Sequence, residues 1–135
     1  MGDDLEDLGK LLLRLTIGGL ILFHGVAKLR GGIGFVSSAV QQAGLPLFIA
    51  YGVYVAEVVA PVLLIVGLLA RAAALTIVVD MLAAIYLVRR NDVMRITDAG
   101  GAWAIEVEAF FLFGALAIAC LGAGRIALEK PSRWA

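Results

Sequence analysis

Apolar and polar positions alternate along this chain in long blocks. Four apolar blocks, residues 11–29, 47–70, 72–88 and 103–121, are separated by short polar or glycine-containing segments. A helix crossing bilayer hydrocarbon needs about 20 mostly apolar residues at about 1.5 Å each, so every block predicts a spanning helix. The first is entered through Lys10 and Arg14 and left through Lys28, Arg30 and the Gly31-Gly32 breaker. Such cations lay their stems along apolar surface and send their heads to the lipid headgroups. After it, Phe35, Val36, Ala39, Val40 and Ala43 recur at helical spacing opposite Ser37, Ser38, Gln41 and Gln42. That pattern predicts a short interfacial or re-entrant helix stopped by Gly44-Leu45-Pro46.

Pro61 lacks a backbone donor and predicts a kink one turn past Glu57. Gly67 and Arg71 mark a tight turn into the third block, residues 91–102 read as a loop, and Gly122-Ala123-Gly124 reads as a helix stop. Ala115, Ala119 and Ala123, spaced by four, form a small-residue face that lets helices approach closely. The pattern predicts one all-α domain over residues 1–135, an integral membrane four-helix bundle with a short interfacial helix between spans one and two.

Composition agrees. Hydrophobic residues make up 62% of the chain and the mean hydropathy is +1.00, above the roughly 45–50% apolar content of a soluble domain. Eleven basic residues balance eleven acidic ones without forming a stripe, so no nucleic-acid footprint exists. Cys120 is the single cysteine, which excludes an internal disulfide and a Cys-x-x-Cys pair. The first ten residues are acidic and hydrophilic, unlike the basic start of a cleavable signal, so the first span is expected to be retained. Lys10, Arg14, Arg71, Arg125, Lys130 and Arg133 fall on the side of the termini, against Lys28, Arg30, Arg89, Arg90 and Arg95 on the other. This slight excess favours termini inside.

Ionisable groups inside apolar blocks are expensive, about 2.5–3.5 kcal/mol each at mid-helix even on the lenient scale, which makes them functional candidates. Antiparallel spans bring His24, near the end of span one, level with Glu108, near the start of span four. Glu57 and Asp80 come close to the midplane. Lys28 shares the His24 face of its helix, and Tyr54 lies one turn from Glu57. These positions predict a polar funnel walled by Tyr51, Tyr54, Tyr86 and Trp103, opening on the loop side and narrowing to Glu57 and Asp80. Apolar walls with a few convergent polar groups describe a small-molecule pocket. Glu57, Asp80 and His24 are the candidates for proton transfer, and Arg14, Lys28 and Glu108 for holding the ligand. Glu106 and Glu108 stand about 200° apart around their helix, and depth favours Glu108 as the inward one. One histidine with scattered carboxylates predicts no metal site. A structural ion pair at Glu57 and a hydrogen-bonded packing role for Asp80 and His24 are the alternatives.

Arg14, Phe23-His24-Gly25, Lys28-Leu29, Gly44-Leu45-Pro46, Glu57, Gly67-Leu68-Leu69-Ala70-Arg71 and Gly122-Ala123-Gly124-Arg125 together resemble the DoxX family of small four-span bacterial membrane proteins. The similarity runs over roughly residues 10–130, and the ordered set of motifs is more specific than any one of them. The resemblance implies a multi-pass protein of the bacterial inner membrane with both termini in the cytoplasm. It also implies a link to thiosulfate oxidation with quinone as acceptor, or to oxidoreductase complexes that answer oxidative stress. Arg14, His24, Lys28 and Glu57 match the family pattern, and either Glu106 or Glu108 matches its acidic residue near the start of span four. Asp80 and the charged stretch 91–101 depart from that pattern.

Three functions fit these features. The first is an oxidoreductase-associated subunit that binds a quinone or similar apolar redox molecule. With no haem-ligand pair, flavin motif or cysteine pair, its electrons come from a membrane or soluble redox partner. The second is a transporter of a small solute or protons, which four spans would build as a homo-oligomer. The third is a non-catalytic assembly subunit that docks a partner through the small-residue face of span four.

Overall fold

The computed structural model describes residues 1–98, 100–130 and 132–135. Among the described residues the chain forms five helices and no strand beyond an isolated antiparallel bridge between Ile96 and Trp103. The helices are α1 (Gly2–Gly31), α2 (Gly34–Gln42), α3 (Phe48–Val66), α4 (Ala70–Asp92) and α5 (Glu106–Leu121). Three of them, α1, α3 and α4, are long and apolar enough to cross a bilayer, which makes this a membrane protein in contact with lipid. At 16 residues α5 is about 24 Å long.

Two boundaries differ from the sequence expectation. Helix α1 begins at Gly2, so the hydrophilic start is helical as well. Asp3 and Asp4 lie in its first turn, where the helix dipole favours acids, and Glu6 pairs with Lys10 across one turn at 2.6 Å. The fourth apolar block enters its helix only at Glu106. Trp103 bridges to Ile96, and its indole N–H donates to the Val93 carbonyl at 2.6 Å, which holds it in the preceding loop.

Helix α1 packs against the second half of α3 and against α5, while α4 packs against α3 and most extensively against α5. The core between them contains Ile17, Ile21, Leu64, Ile77 and Ile118, with Ala70, Ala73, Ala74 and Ala115 letting α4 and α5 approach closely. Ala115 and Ala123 of the predicted docking face are therefore buried inside this chain's own core. A second cluster, Ile33, Val40, Ala50 and Val53, seats α2 on the start of α3.

Pro61 changes the helix locally. Its missing N–H withdraws the donor from the Glu57 carbonyl, and the helix responds with a π turn over Val55–Val59, in which the Ala60 N–H reaches the Val55 carbonyl. Gly25 lies against that Glu57 carbonyl so closely that a Cβ added there would come within 2.0 Å of the oxygen. Helix α4 likewise ends in a π turn, Ile85–Arg89, and a 3-10 turn, Arg90–Asp92.

The tail folds back over the end of the bundle that holds the α3–α4 turn. Gly67 and Leu69 turn the chain with φ of 75° and 47°. The Leu128 and Glu129 N–H groups donate to the Val66 and Gly67 carbonyls, each at 3.1 Å, and the Glu129 carboxylate accepts from the Leu69 N–H at 2.6 Å. Arg71 donates from Nε to the Ala135 oxygen at 3.1 Å and from Nη1 to the Ala119 carbonyl at 3.3 Å. The buried Asp7 accepts from the Arg125 backbone N–H at 3.0 Å and pairs with its guanidinium. Asp7 lies on the helical turns preceding the apolar block. The Arg125 N–H first, and the guanidinium second, hold its carboxyl below the usual range.

Candidate functional site

At the other end of the bundle, α2, the first half of α3 and the second half of α4 enclose a cavity of about 550 Å³. Its walls are mostly apolar, with Phe35, Val40, Val53 and Leu87 among them. Its polar groups are Lys28, Glu57, Thr76, Asp80, Arg89 and Glu108. A smaller cavity of about 160 Å³ lies across Lys28, Glu57 and Glu108 from the first and is lined by His24, Met81 and Phe111.

The π turn presents Glu57 into the bundle, where it is 6% exposed and forms an ion pair with the Lys28 ammonium from α1. Such a pair repays its desolvation only when the geometry is good, and removing one partner strands a buried charge. Lys28 lies one turn after His24 on α1. The Tyr54 hydroxyl donates to the Lys28 carbonyl at 3.4 Å, tying α3 to the same turn. Asp80 lies within electrostatic reach of both Lys28 and Glu57, and its Oδ2 is buried without a hydrogen-bond partner. A buried acceptor left unmade costs about 1–3 kcal/mol, so that atom is where a ligand's polar group gains most. At the rim, Arg89 donates to the Ala104 carbonyl, and its Nε stands 3.5 Å from Asp92 and 3.7 Å from Glu108.

The acids outnumber the cations at this site. Lys28 is engaged by Glu57, and Arg89 by Glu108 and Asp92, while Asp80 stands beside the Glu57 carboxyl and Lys28. Among the described residues, no group of three or more His, Cys, Asp or Glu side chains could hold a metal ion.

Of the residues singled out from the sequence, Lys28, Glu57, Asp80 and Glu108 line the larger cavity together. Glu106, by contrast, is exposed. His24 lies on the smaller cavity, exposed and edge-on to Phe111 with ring centroids 5.8 Å apart, so the Lys28–Glu57 pair stands between it and Asp80. The aromatic wall is corrected. Tyr51 and Tyr86 point outward, Tyr54 and Trp103 are held by backbone carbonyls, and none of the four lines the cavity, because α2 folds over the place they were expected to fill. Arg14 is also elsewhere. It lies about 21 Å along α1 from Lys28, is 1% exposed, and donates to the Ile126 carbonyl at 2.6 Å. Sequence reasoning missed Arg89 and Thr76. Arg89 closes an apolar block, where a cation reads as a headgroup anchor, and its spacing to Glu108 carries no local signal.

A sequence model of the DoxX family matches residues 9–90. The match takes in most of α1, all of α2 and α3 and nearly all of α4, hence Lys28, Glu57, Asp80 and Arg89, while Glu108 and the tail lie beyond it. No curated protein and no solved structure matches the chain.

Proposed function

Because this chain belongs to the DoxX family, we propose that it is an oxidoreductase-associated subunit of the bacterial inner membrane that binds a quinone or similar small apolar redox molecule in the larger cavity. In this reading α5 is a fourth span, α2 lies at the membrane interface, and both termini are cytoplasmic. The observation that carries it is the unpartnered Oδ2 of Asp80, buried at the floor of an apolar-walled cavity of about 550 Å³ beside the Lys28–Glu57 pair. That volume falls within the range of about 300–1,000 Å³ usual for small-molecule sites.

A flat apolar ring with carbonyl or hydroxyl oxygens fits such a site. The walls take the ring, while Asp80 donates as the protonated acid to a quinone oxygen and accepts as the carboxylate from a quinol hydroxyl. Lys28 holds Glu57 in place and keeps a compensating positive charge beside the reacting group. Two electrons and two protons convert a quinone to its quinol. The chain supplies proton-carrying groups only, so the electrons come from a redox protein docked on it.

The test is a binding isotherm of purified protein in lipid nanodiscs, titrated with a benzoquinone. Wild type binds, and Asp80→Ala, which removes the hydrogen-bonding group, weakens binding about tenfold, the equivalent of one hydrogen bond to an ionisable group. Absence of binding to wild type, or equal binding by Asp80→Ala, rejects the reading.

A further inference from the structure

We propose that the larger cavity is a lateral port. It takes a quinone-class molecule with a long apolar tail head first from the lipid phase, the head meeting Asp80 and the tail leaving between α2 and α4. This rests on the quinone reading above and adds to it the class of quinone and the route.

The argument lies in which lining residues are also exposed. Val79 is 66% exposed, Val88 41%, Phe35 72% and Ile49 40%, and all four line the cavity. A side chain that both lines a cavity and faces outward belongs to its mouth. Val79 and Val88 form one lip on α4, while Phe35 and Ile49 form the other on α2 and the start of α3. All four are apolar.

The depth of that mouth follows from the helix. Phe35, Ile49 and Val88, the last about 6 Å from the Asp92 end of α4, mark its interfacial end, whereas Val79 stands about 14 Å from the Ala70 end and about 20 Å from the Asp92 end, so the deep end of the mouth lies within the hydrocarbon of a bilayer the helix crosses. Water would meet no polar lip there, whereas an acyl-like tail would. The loop-side end is crossed by charged and hydrogen-bonded groups. Arg89 ties α4 to the Ala104 carbonyl and stands between Asp92 and Glu108. A ligand arriving through the loops would have to displace these contacts, and one arriving between the lips displaces only lipid. Inside, the one buried acceptor without a partner among the described residues is Asp80 Oδ2, next in sequence to the lip residue Val79. The head therefore travels a short way from the mouth to its polar contact, and the volume beyond a head group holds the first units of a tail.

The experiment compares two benzoquinones with the same head, one bearing a decyl tail and one a methyl group. Both are titrated into the full chain in nanodiscs, with empty nanodiscs subtracting partition. Val79→Trp narrows the mouth, and Leu75→Trp, one turn earlier on the exposed side of α4 and outside the cavity, is the control. We expect Val79→Trp to weaken the decyl quinone at least tenfold while the methyl quinone changes less than twofold, which also reports that the site is folded. Leu75→Trp should leave both unchanged. If wild type binds both quinones and Val79→Trp affects them equally or not at all, the lateral port is wrong while the quinone reading survives. If wild type binds neither, the quinone reading fails and this inference with it. A phospholipid retained in the cavity by native mass spectrometry, and not displaced by the decyl quinone, overturns the port.

Discussion

Replacing Gly25 with alanine tests the contact on which the site is built. A Cβ at this position would lie 2.0 Å from the Glu57 carbonyl oxygen, 2.6 Å from its carbonyl carbon and 2.8 Å from Val58 Cγ2. A relaxed carbon–oxygen contact is about 3.3–3.6 Å, so α1 and the π turn must part by more than about 1 Å. Two of the three obstacles are backbone, which cannot rotate aside. Overpacking costs about 1–3 kcal/mol in general, and the rigid obstacle places Gly25→Ala near the upper end. The separation also draws Lys28, three residues further along α1, away from Glu57. Gly19, on the same helix, has nothing within 4 Å of its added Cβ. Gly19→Ala should change stability by no more than the helix-propensity difference, about 1 kcal/mol, and in the favourable direction. The assay is unfolding in mixed micelles by titration with dodecyl sulfate, followed by far-ultraviolet circular dichroism. We expect Gly25→Ala to lose about 2–3 kcal/mol relative to wild type. A Gly25→Ala protein within about 0.5 kcal/mol of wild type would refute the close approach of α1 to the π turn.

Lys28→Met should destabilise by about 3 kcal/mol, because it leaves the Glu57 carboxylate buried without its counter-charge. The double variant Lys28→Met/Glu57→Met should recover most of that loss in the same titration, and failure to recover would show that the pair does not act as a unit. The Asp7 carboxyl, held low by Arg125, stabilises the folded tail above its ordinary pKa near 3.8, and that contribution disappears as pH falls through the lower folded value. Trp134 emission and protease cleavage within residues 122–135 should therefore report release of the tail below about pH 4. Asp7→Asn should remove that acid transition, and an unchanged acid profile would show that the tail is held by other contacts.

Much of the fold was legible because block length and residue type dictate it. Three apolar blocks became helices long enough to cross a bilayer, and residue counting brought Glu57, Asp80, Lys28 and Glu108 to one cavity. What escaped depends on contacts between distant parts of the chain. The helical start of α1 is steadied by Asp7 and Arg125, which are 118 positions apart. The π turn follows from Pro61 only once Gly25 is known to leave room for the freed carbonyl. The aromatic wall failed as an expectation because amphipathic spacing shows that α2 is a helix but not which opening it covers. Arg14 looked like a ligand-steering cation by composition, and its actual partner is a backbone carbonyl, a group every residue carries.

That carbonyl gives the burial of Arg14 a consequence for biosynthesis. Ile126, which accepts the Arg14 hydrogen bond, follows it by 112 residues. At translation rates of about 5–20 residues per second, roughly 6–20 seconds separate the two. Through that interval α1 sits in or beside the bilayer with its guanidinium lacking the hydrogen bond it makes in the folded chain. The bundle therefore closes last at its tail, and a chain interrupted before Ile126 keeps a charged flaw that membrane quality control can recognise.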